Sequence, residues 1–579
     1  MLESARQHDD GPSLPSLRWA LLGNTTLDPM RAFLTQFSRE IGYTADIWIG
    51  GYDTALQDAS APACAAADVV VIALRLHTLA PALVNRFARL GADNARAEAG
   101  RALEYAASVA AAVRQSSGAL ILVHAFETPP HPALGIIDGR TRHGQANTIR
   151  RLNLDLAERL SADANTFVID LDNVRARLAG QRFDDPRTWH LGRVPYTRQA
   201  MRAIAGEYLR VVRAAKGRNR KCVVVDADGT LWGGIVGDDG PEGVRVGPAF
   251  PGSPYYDFQE ALLALRDRGV LLALCSKNDP QAVADVFATR AADMPLKWTD
   301  FAAVRVNWSD KARNLREIAA ELNIGLDSLV FVDDTAHETA LVAELLPAVH
   351  TILLPEDPVD FRDALAACDL FDTLTFSDED RRRSDMYAAE QQRKAEESAS
   401  ISVEDYLRGL NMEAAVARVD DGSVARVAQL TQKTNQFNLT TRRYTDQDIR
   451  RFAASPDHDV FTIRVRDRLG DSGLVGVAIL RHDDAGSVLD TFLMSCRALG
   501  RGVEDALLAA CMQASVRRGM REVIGEFIPT AKNARVADFY PSRGFAADVC
   551  NRFRRSNVDP IAFPAHFKSV VVDGEQVIA

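Results

Sequence analysis

Cys222-Val-Val-Val-Asp226-Ala-Asp228-Gly-Thr230-Leu-Trp232 sets the fold of the middle third of this chain. A run of four apolar residues reads as a buried strand, and it runs into two carboxylates, a glycine and a threonine. Side chains alternate along a strand, so carboxylates at i and i+2 point the same way. Such a pair suits a nucleophile and a proton donor: Asp226 attacks phosphorus, while Asp228 protonates the leaving oxygen and later activates water. A carboxylate attacking a dianionic phosphate needs charge neutralisation, which points to a hard, oxygen-liganded ion such as Mg²⁺. Taken alone, a strand ending in Asp-x-Asp could as well be a helix cap or a surface turn.

The remaining parts of such a site follow in order. Val270–Ser276 is a second strand, ending in a hydroxyl that can bond a phosphoryl oxygen, as Thr230 can. Lys311 places a fixed positive charge where a helix begins, and Leu329–Asp334 is a third strand ending in paired carboxylates. The expected phosphate-binding residues are therefore Thr230, Ser276 and Lys311, and the expected metal ligands are Asp226, Asp228, Asp333 and Asp334. Open α/β sheets place ligands at the carboxyl ends of their strands, where all these residues fall. From about 221 to 372 the chain resembles the haloacid-dehalogenase (HAD) superfamily. Only 34 residues separate Ser276 from Lys311, too few for a cap domain beside the helix and strand that must fit there. The stretch Gly233–Tyr256 has room only for a flap, so an open site and a bulky, tethered substrate are expected.

Working outward, 579 residues exceed what one core organises, and three or four domains are expected. A hydrophobic share of 47% and a charged share of 25% fit a globular chain. A net charge of −10 argues against a general nucleic-acid binder. The seven cysteines are scattered without a CxxC pair, as expected of reduced cytoplasmic thiols. Met1–Pro15 is polar and acidic, unlike a secretory or transit signal, and no apolar run approaches the roughly 20 residues that span a bilayer. No membrane association is expected. The first ~215 residues alternate strand-like runs (Leu17–Gly23, Asp68–Leu74, Ala119–His124, Thr166–Leu171) with helix-like stretches such as Ala95–Gln115. The charge-dense Asp378–Ser398 reads as an exposed helix or linker, a solvated face.

In the last third, Leu489–Cys496 reads as a strand, Arg497-Ala-Leu-Gly500-Arg-Gly502 as a turn, and the following residues as an amphipathic helix. Backbone N–H groups at such a helix start form an anion site. The R-x-x-G-x-G form resembles the pyrophosphate loop of GNAT acetyltransferases, and Asn533…Phe539-Tyr540…Gly544-Phe545 resembles their second signature. Cys496, at the strand end, is either a small buried filler or a nucleophile whose thiolate the helix start and Arg497 favour.

Taken together, DADGTLWGGIVGDDG, CSKND, FVDD…E, LTQKTNQFNLTTRRYT, SCRALGRGVE and PTAKN…FYPSRGF closely resemble the FkbH-like family of HAD-IIIC proteins over nearly the whole chain. The resemblance implies a bifunctional acyltransferase/phosphatase in polyketide-type metabolism. Such a protein takes 1,3-bisphosphoglycerate, loads a glyceryl or related three-carbon unit onto an acyl carrier protein, and removes phosphate. It further implies Cys496 as the acyl-carrying thiol, with Arg497, Gly500, Gly502, Asn435, Asn438, Asn533 and Tyr540 binding the acyl group or the pantetheine arm. Two departures stand out: Thr335-Ala336 follow Asp333-Asp334 where Asn-Pro is expected, and Gly229 replaces an expected Asn.

The N-terminal third resembles the SGNH-hydrolase-like domain of longer members. It has Gly23-Asn24-Thr25 in place of Gly-Asp-Ser, so a degenerate domain for docking or support is expected, with His190 structural. The expected architecture is multidomain α/β: an SGNH-like domain over 1–215, a HAD-like Rossmannoid domain over 216–375, a charged helical linker over 376–408 and a GNAT-like α+β domain over 409–579. The rival readings are a plain Mg²⁺-dependent phosphatase acting on a carrier-bound phosphate, and a non-catalytic assembly protein.

Overall fold

A computed structural model describes residues 14–374, 386, 389, 392–393, 396–397, 402–484, 486–495, 498–530, 532–548, 551–558 and 561–578. The chain forms two compact units, Met1–Ala215 and Lys216–Ala579. The class is α/β, as expected, and the strands of the described residues fall into three sheets. No helix among the described residues is long and apolar enough to cross a membrane.

The first unit is built on β1 (Ser16–Gly23), β2 (Thr44–Tyr52), β3 (Val69–Ala73), β4 (Leu120–His124) and β5 (Thr166–Ile169). They form a parallel sheet in the order β2-β1-β3-β4-β5. The central strands β3 and β4 are buried along their whole length, which is why they read as continuous apolar runs. The edge strand β2 is largely half-exposed and carries polar residues, and its sequence did not announce it. The helix expected over Ala95–Gln115 spans Ala92–Ser116.

The second unit begins with β6 (Cys222–Val225), β7 (Leu271–Ser276), β8 (Phe301–Val306), β9 (Leu329–Asp333) and β10 (His350–Leu353). All run parallel, in the order β10-β9-β6-β7-β8. Strand order reverses between β6 and β9, so a crevice opens at their carboxyl ends. Two apolar clusters cover the sheet's faces, one around Val223, Val225 and Phe258, the other around Val224, Leu315 and Phe331. The residues 233–256 form a flap and no separate domain: Gly233 bridges Arg245, and a short helix between them breaks at Gly240.

The last sheet contains β11 (Glu413–Arg418), β12 (His458–Asp467), β13 (Gly470–Asp483), β14 (Gly486–Met494), β15 (Glu522–Glu526), β16 (Ala546–Ala547), β17 (Arg552–Ser556), β18 (Ser569–Val572) and β19 (Glu575–Ile578). Their order is β16-β17-β15-β14-β13-β12-β11-β18-β19, with β11 to β14 antiparallel and β14 parallel to β15. The β14–β15 crossover is the helix Val503–Arg517, buried on nearly all sides. Most of the expected linker over 376–408 lies outside the described residues. One described member corrects the expectation of a solvated face: Arg393 is buried and forks onto Asp467, which also pairs with Arg501. A charge run exposes its guanidinium groups only when no buried carboxylate faces them.

Candidate active site

The strand β6 carries the chain to the crevice, and Asp226 continues its ladder by donating its N–H to Val332 O (3.1 Å). The chain then turns sharply, with the Thr230 and Leu231 N–H groups both donating to Ala227 O. Gly229 sits in this turn at φ +71°, and a Cβ there would lie 2.2 Å from Asp334 Oδ2. A side chain at 229 would start from left-handed backbone and meet the Asp334 carboxylate, which would have to move aside.

Opposite β6, β9 ends in Asp333, fully buried, followed by the exposed Asp334. Carboxylate oxygens of Asp226, Asp333 and Asp334 all lie within 4.8 Å of one another. Lys311 opens the helix Lys311–Glu321, which Asp310 caps by accepting Arg313 N–H. Its ammonium lies 2.9 Å from Asp226 Oδ2 and 2.5 Å from Asp333 Oδ2. Burial acts to lower the Lys311 pKa, but the two carboxylates outweigh it and raise it above the ordinary lysine range. Burial pushes the Asp226 carboxyl up to about 6; Lys311 opposes this and Asp333 adds to it. Burial and Asp333 also raise Asp334.

Three carboxylates thus face one ammonium, and Asp226 Oδ1 is buried without a hydrogen-bond partner among the described residues. A buried anion left this way is costly unless a cation balances it. A hard divalent ion fits the all-oxygen donor set of Asp226, Asp333 and Asp334.

Asp228 departs from its expected place among the metal ligands. Its Oδ1 accepts from Trp232 Nε1 (2.7 Å) and Val236 N–H (3.1 Å), and its Oδ2 from Asn278 Nδ2 (2.7 Å). Both oxygens are occupied, and the carboxylate lies outside the cluster of three. Trp232 and Asn278 are functional residues that sequence reasoning missed, although both sit inside the quoted motifs. Thr230 is likewise corrected from a phosphate ligand to a support: its buried hydroxyl donates to Asp334 Oδ1 (3.3 Å). Ser276 ends β7 with a buried hydroxyl that bonds no described protein group, so it can serve a phosphoryl oxygen. Beside it, Lys277 pairs with Glu338 (2.6 Å).

In the last third, Cys496 and Arg497 lie outside the described residues. Gly500 and Gly502 both have positive φ (77° and 74°), and Gly502 is the N-cap residue of the helix Val503–Arg517. Its first turn carries Glu504 and Asp505, and the Arg543 guanidinium lies against both carboxylates.

The asparagines are also differently employed. Asn438 is fully buried; its Nδ2 donates to Thr434 O (3.3 Å) and its Oδ1 accepts Thr441 N–H (2.8 Å). Asn533, also fully buried, donates to Asn438 O and Ile528 O (2.9 Å each) and accepts Thr530 N–H (2.7 Å). Their amides hold backbone, so the expected acyl or pantetheine contact is corrected to a structural one. Asn435 accepts from the Arg443 guanidinium. Tyr540 is buried against Gly525, and its hydroxyl has no hydrogen-bond partner among the described residues.

In the first unit, His190 is exposed at the end of the helix Pro186–Gly192. Thr25, standing where a serine nucleophile would, is buried, and its neighbour Asn24 clamps the Arg75 backbone: Nδ2 donates to Arg75 O (2.9 Å), and Arg75 N–H donates to Oδ1 (2.8 Å).

No protein-family model and no curated protein matches this chain. Among solved structures, the N-terminal part of BF1531 from Bacteroides fragilis, described as containing a phosphatase domain complexed with Mg, is 27% identical. The match covers 63% of this chain and 96% of that one, with a TM-score of 0.57. The ribosomal-protein-S18-alanine N-acetyltransferase of Escherichia coli matches at 13% identity over 26% of this chain and 96% of its own, with a TM-score of 0.20. A GNAT-family acetyltransferase from Staphylococcus aureus matches at 12% over 25% and 99%, also at 0.20.

Proposed function

We propose that the chain is a Mg²⁺-dependent phosphatase of HAD type whose phosphate release is one half of an acyl-loading reaction. In this reading a glyceryl or related three-carbon unit passes from a phosphorylated donor such as 1,3-bisphosphoglycerate to an acyl carrier protein. The observation that carries the phosphatase half is the crevice between β6 and β9, where Asp226 presents an unpartnered oxygen beside Lys311, Asp333 and Asp334. The Mg-bound phosphatase domain of the Bacteroides fragilis structure supports it.

Asp226, Asp333 and Asp334 would hold Mg²⁺, which when bound neutralises phosphoryl charge. Asp226 attacks phosphorus, the bond to the leaving oxygen breaks, and that oxygen takes a proton from Asp228. Water then attacks the aspartyl phosphate, giving its proton to Asp228 and releasing phosphate. Lys311 holds Asp226 oriented and stabilises the phosphoryl oxygens together with Ser276. A carrier-borne substrate is supported by the uncapped site and by exposed Ile235, Phe250 and Trp308 on segments bordering it, apolar surface of the kind that meets a partner. The free thiols of Cys64, Cys222, Cys275, Cys368 and Cys511 suit a reducing, cytoplasmic setting.

A second reading, in which the last third only binds the carrier, is favoured by the engaged amides of Asn438 and Asn533 and the acidic helix start at Glu504 and Asp505. Intact-mass spectrometry of a carrier protein incubated with the enzyme, Mg²⁺ and 1,3-bisphosphoglycerate separates the two. The proposal expects a glyceryl adduct that Cys496→Ala abolishes while phosphate release persists. An adduct that forms equally with Cys496→Ala removes the thiol from the mechanism. Phosphate release undiminished in Asp226→Asn removes the phosphatase.

A further inference from the structure

The first unit contains a cavity of 270 Å³ at the carboxyl ends of β3 and β4. Its walls are apolar, formed among others by Leu76, Val84, Pro129, Ile149, Pro186 and Trp189. Its floor is charged: Arg75, Arg175, Glu127 and Asp184 answer one another, and Asp185 caps the helix Pro186–Gly192 by accepting Arg187 and Thr188 N–H. The buried Arg75 pairs with Glu127 (2.8 Å) and Asp184 (2.9 Å), and its guanidinium stacks on Trp189 and Tyr196. Arg175 takes the second oxygen of Asp184 (3.1 Å) and donates to Thr128 O (2.8 Å). Glu127 also accepts the Tyr196 hydroxyl (2.6 Å). An anionic ligand would find no unpaired cation among the described lining residues.

Two polar groups in the lining are left without partners. Thr128 Oγ1 is buried and hydrogen-bonded to nothing, and the His77 imidazole, tilted against Trp189, bonds no described residue. Burial, then Arg75, pushes His77 below the ordinary histidine range, so it is neutral at pH 7. Native proteins rarely leave a buried polar group unsatisfied, so Thr128 Oγ1 needs an explanation, and the half-buried His77 beside the cavity is free to share it. Gln145 holds the opposite wall by donating to Leu83 O and accepting Ala133 N–H (2.7 Å each).

We propose that this cavity binds a neutral, largely apolar small molecule whose one polar group hydrogen-bonds Thr128 and His77. The volume suits roughly 10–15 non-hydrogen atoms, at the small end of ligand pockets. The inference is independent of the phosphatase reading, because every residue it uses lies in the first unit.

The test titrates the full chain with 1-aminoanthracene, a compact neutral aromatic amine whose emission moves to the blue in apolar surroundings. Saturable binding with a blue shift is expected, unchanged in Asp226→Asn. Ile149→Trp and Val84→Phe fill the cavity. Each should weaken binding at least about tenfold, with the circular dichroism of the folded chain preserved. Thr128→Val and His77→Leu should each weaken it about three- to tenfold by removing a hydrogen bond. The proposal is overturned by an absence of saturable binding, or by binding that survives both filling variants. It is equally overturned if anionic 8-anilinonaphthalene-1-sulfonate binds as tightly and is displaced by the same variants.

Discussion

At the residue scale, the clamp on Asp228 separates proton transfer from metal binding. Asn278 and Trp232 each donate to one of its oxygens at 2.7 Å, fixing the carboxylate apart from the three-acid cluster. Asn278 is thus a positioning residue, acting through Asp228. Asn278→Ala should lower kcat about 10–100-fold while KM moves little, since misorienting a group costs turnover before it costs binding. Equal losses in kcat/KM and KM would instead place Asn278 on the substrate.

A second constellation looks catalytic and is not. Ser487, His482 and Asp459 form a hydrogen-bonded chain, with His482 Nδ1 2.8 Å from Ser487 Oγ and Nε2 3.0 Å from Asp459 Oδ2. Ser487 is fully buried, though, and its hydroxyl also accepts from Ser515 (2.7 Å). Arg418 and Arg518 hold Asp459 as well. Burial acts to raise the Asp459 pKa, but hydrogen bonds from His482 and Arg518 and the charge of Arg418 bring it down to about 2, from 3.8. A carboxyl depressed on folding stabilises above its unfolded pKa and loses that contribution as pH falls through its folded value. The urea midpoint of the wild type should therefore exceed that of Asp459→Asn from pH 7 to about 4 and converge on it toward pH 2. Ser487→Ala should leave phosphate release and acyl loading unchanged.

At the scale of elements, the informative one is the segment following the helix Val424–Lys433. It enters where β14 and β15 part: Leu439 N–H donates to Phe492 O (3.0 Å), Met494 N–H to Phe437 O (2.9 Å), and Ile528 N–H to Leu439 O (2.8 Å). The chain itself thereby fills the gap between two diverging parallel strands, and Asn533 ties the insert in place. Asn533→Ala would leave Thr530 N–H, Asn438 O and Ile528 O without their partner. A loss of about 2–4 kcal/mol in urea unfolding is expected, the cost of stranding buried backbone groups. A loss below about 0.5 kcal/mol would mean the insert is held elsewhere. This element also marks the limit of what the sequence reveals. β6 was legible because both its faces are buried, so its apolar run and the turn after it carry their own signal. LTQKTNQFNLTT shows only polar amides, and nothing in its pattern distinguishes an amide that meets a ligand from one that meets a distant backbone. For Thr230 and Asp228 the sequence likewise indicated the right locality and the wrong partner, because side-chain pairing between strand ends is settled by tertiary packing.

At the scale of the whole molecule, the unit Lys216–Ala579 carries its metal site as a local defect in stability. Asp226 and Asp333 are buried carboxylates compensated by a single ammonium, and Asp334 adds a third charge at the rim. Anything that binds this arrangement in the folded state and not in the unfolded chain raises stability by mass action. Mg²⁺ should therefore raise the melting temperature, and Asp333→Asn should reduce that rise. Lys311 provides the sharper test, because it serves the site in two opposed ways. With Mg²⁺ absent, Lys311→Met leaves the buried carboxylates uncompensated and should cost about 3–5 kcal/mol, the penalty for breaking a buried ion pair from one side. With Mg²⁺ present, the same substitution removes the cation that competes for Asp226 and Asp333. The melting-temperature rise on adding Mg²⁺ should then be larger in Lys311→Met than in the wild type, even as phosphate release falls. Differential scanning calorimetry at matched Mg²⁺ concentrations reads both effects. A smaller rise in the variant would mean that Lys311 builds the cation site, and the assignment of Asp226, Asp333 and Asp334 as a self-sufficient ligand set would fail.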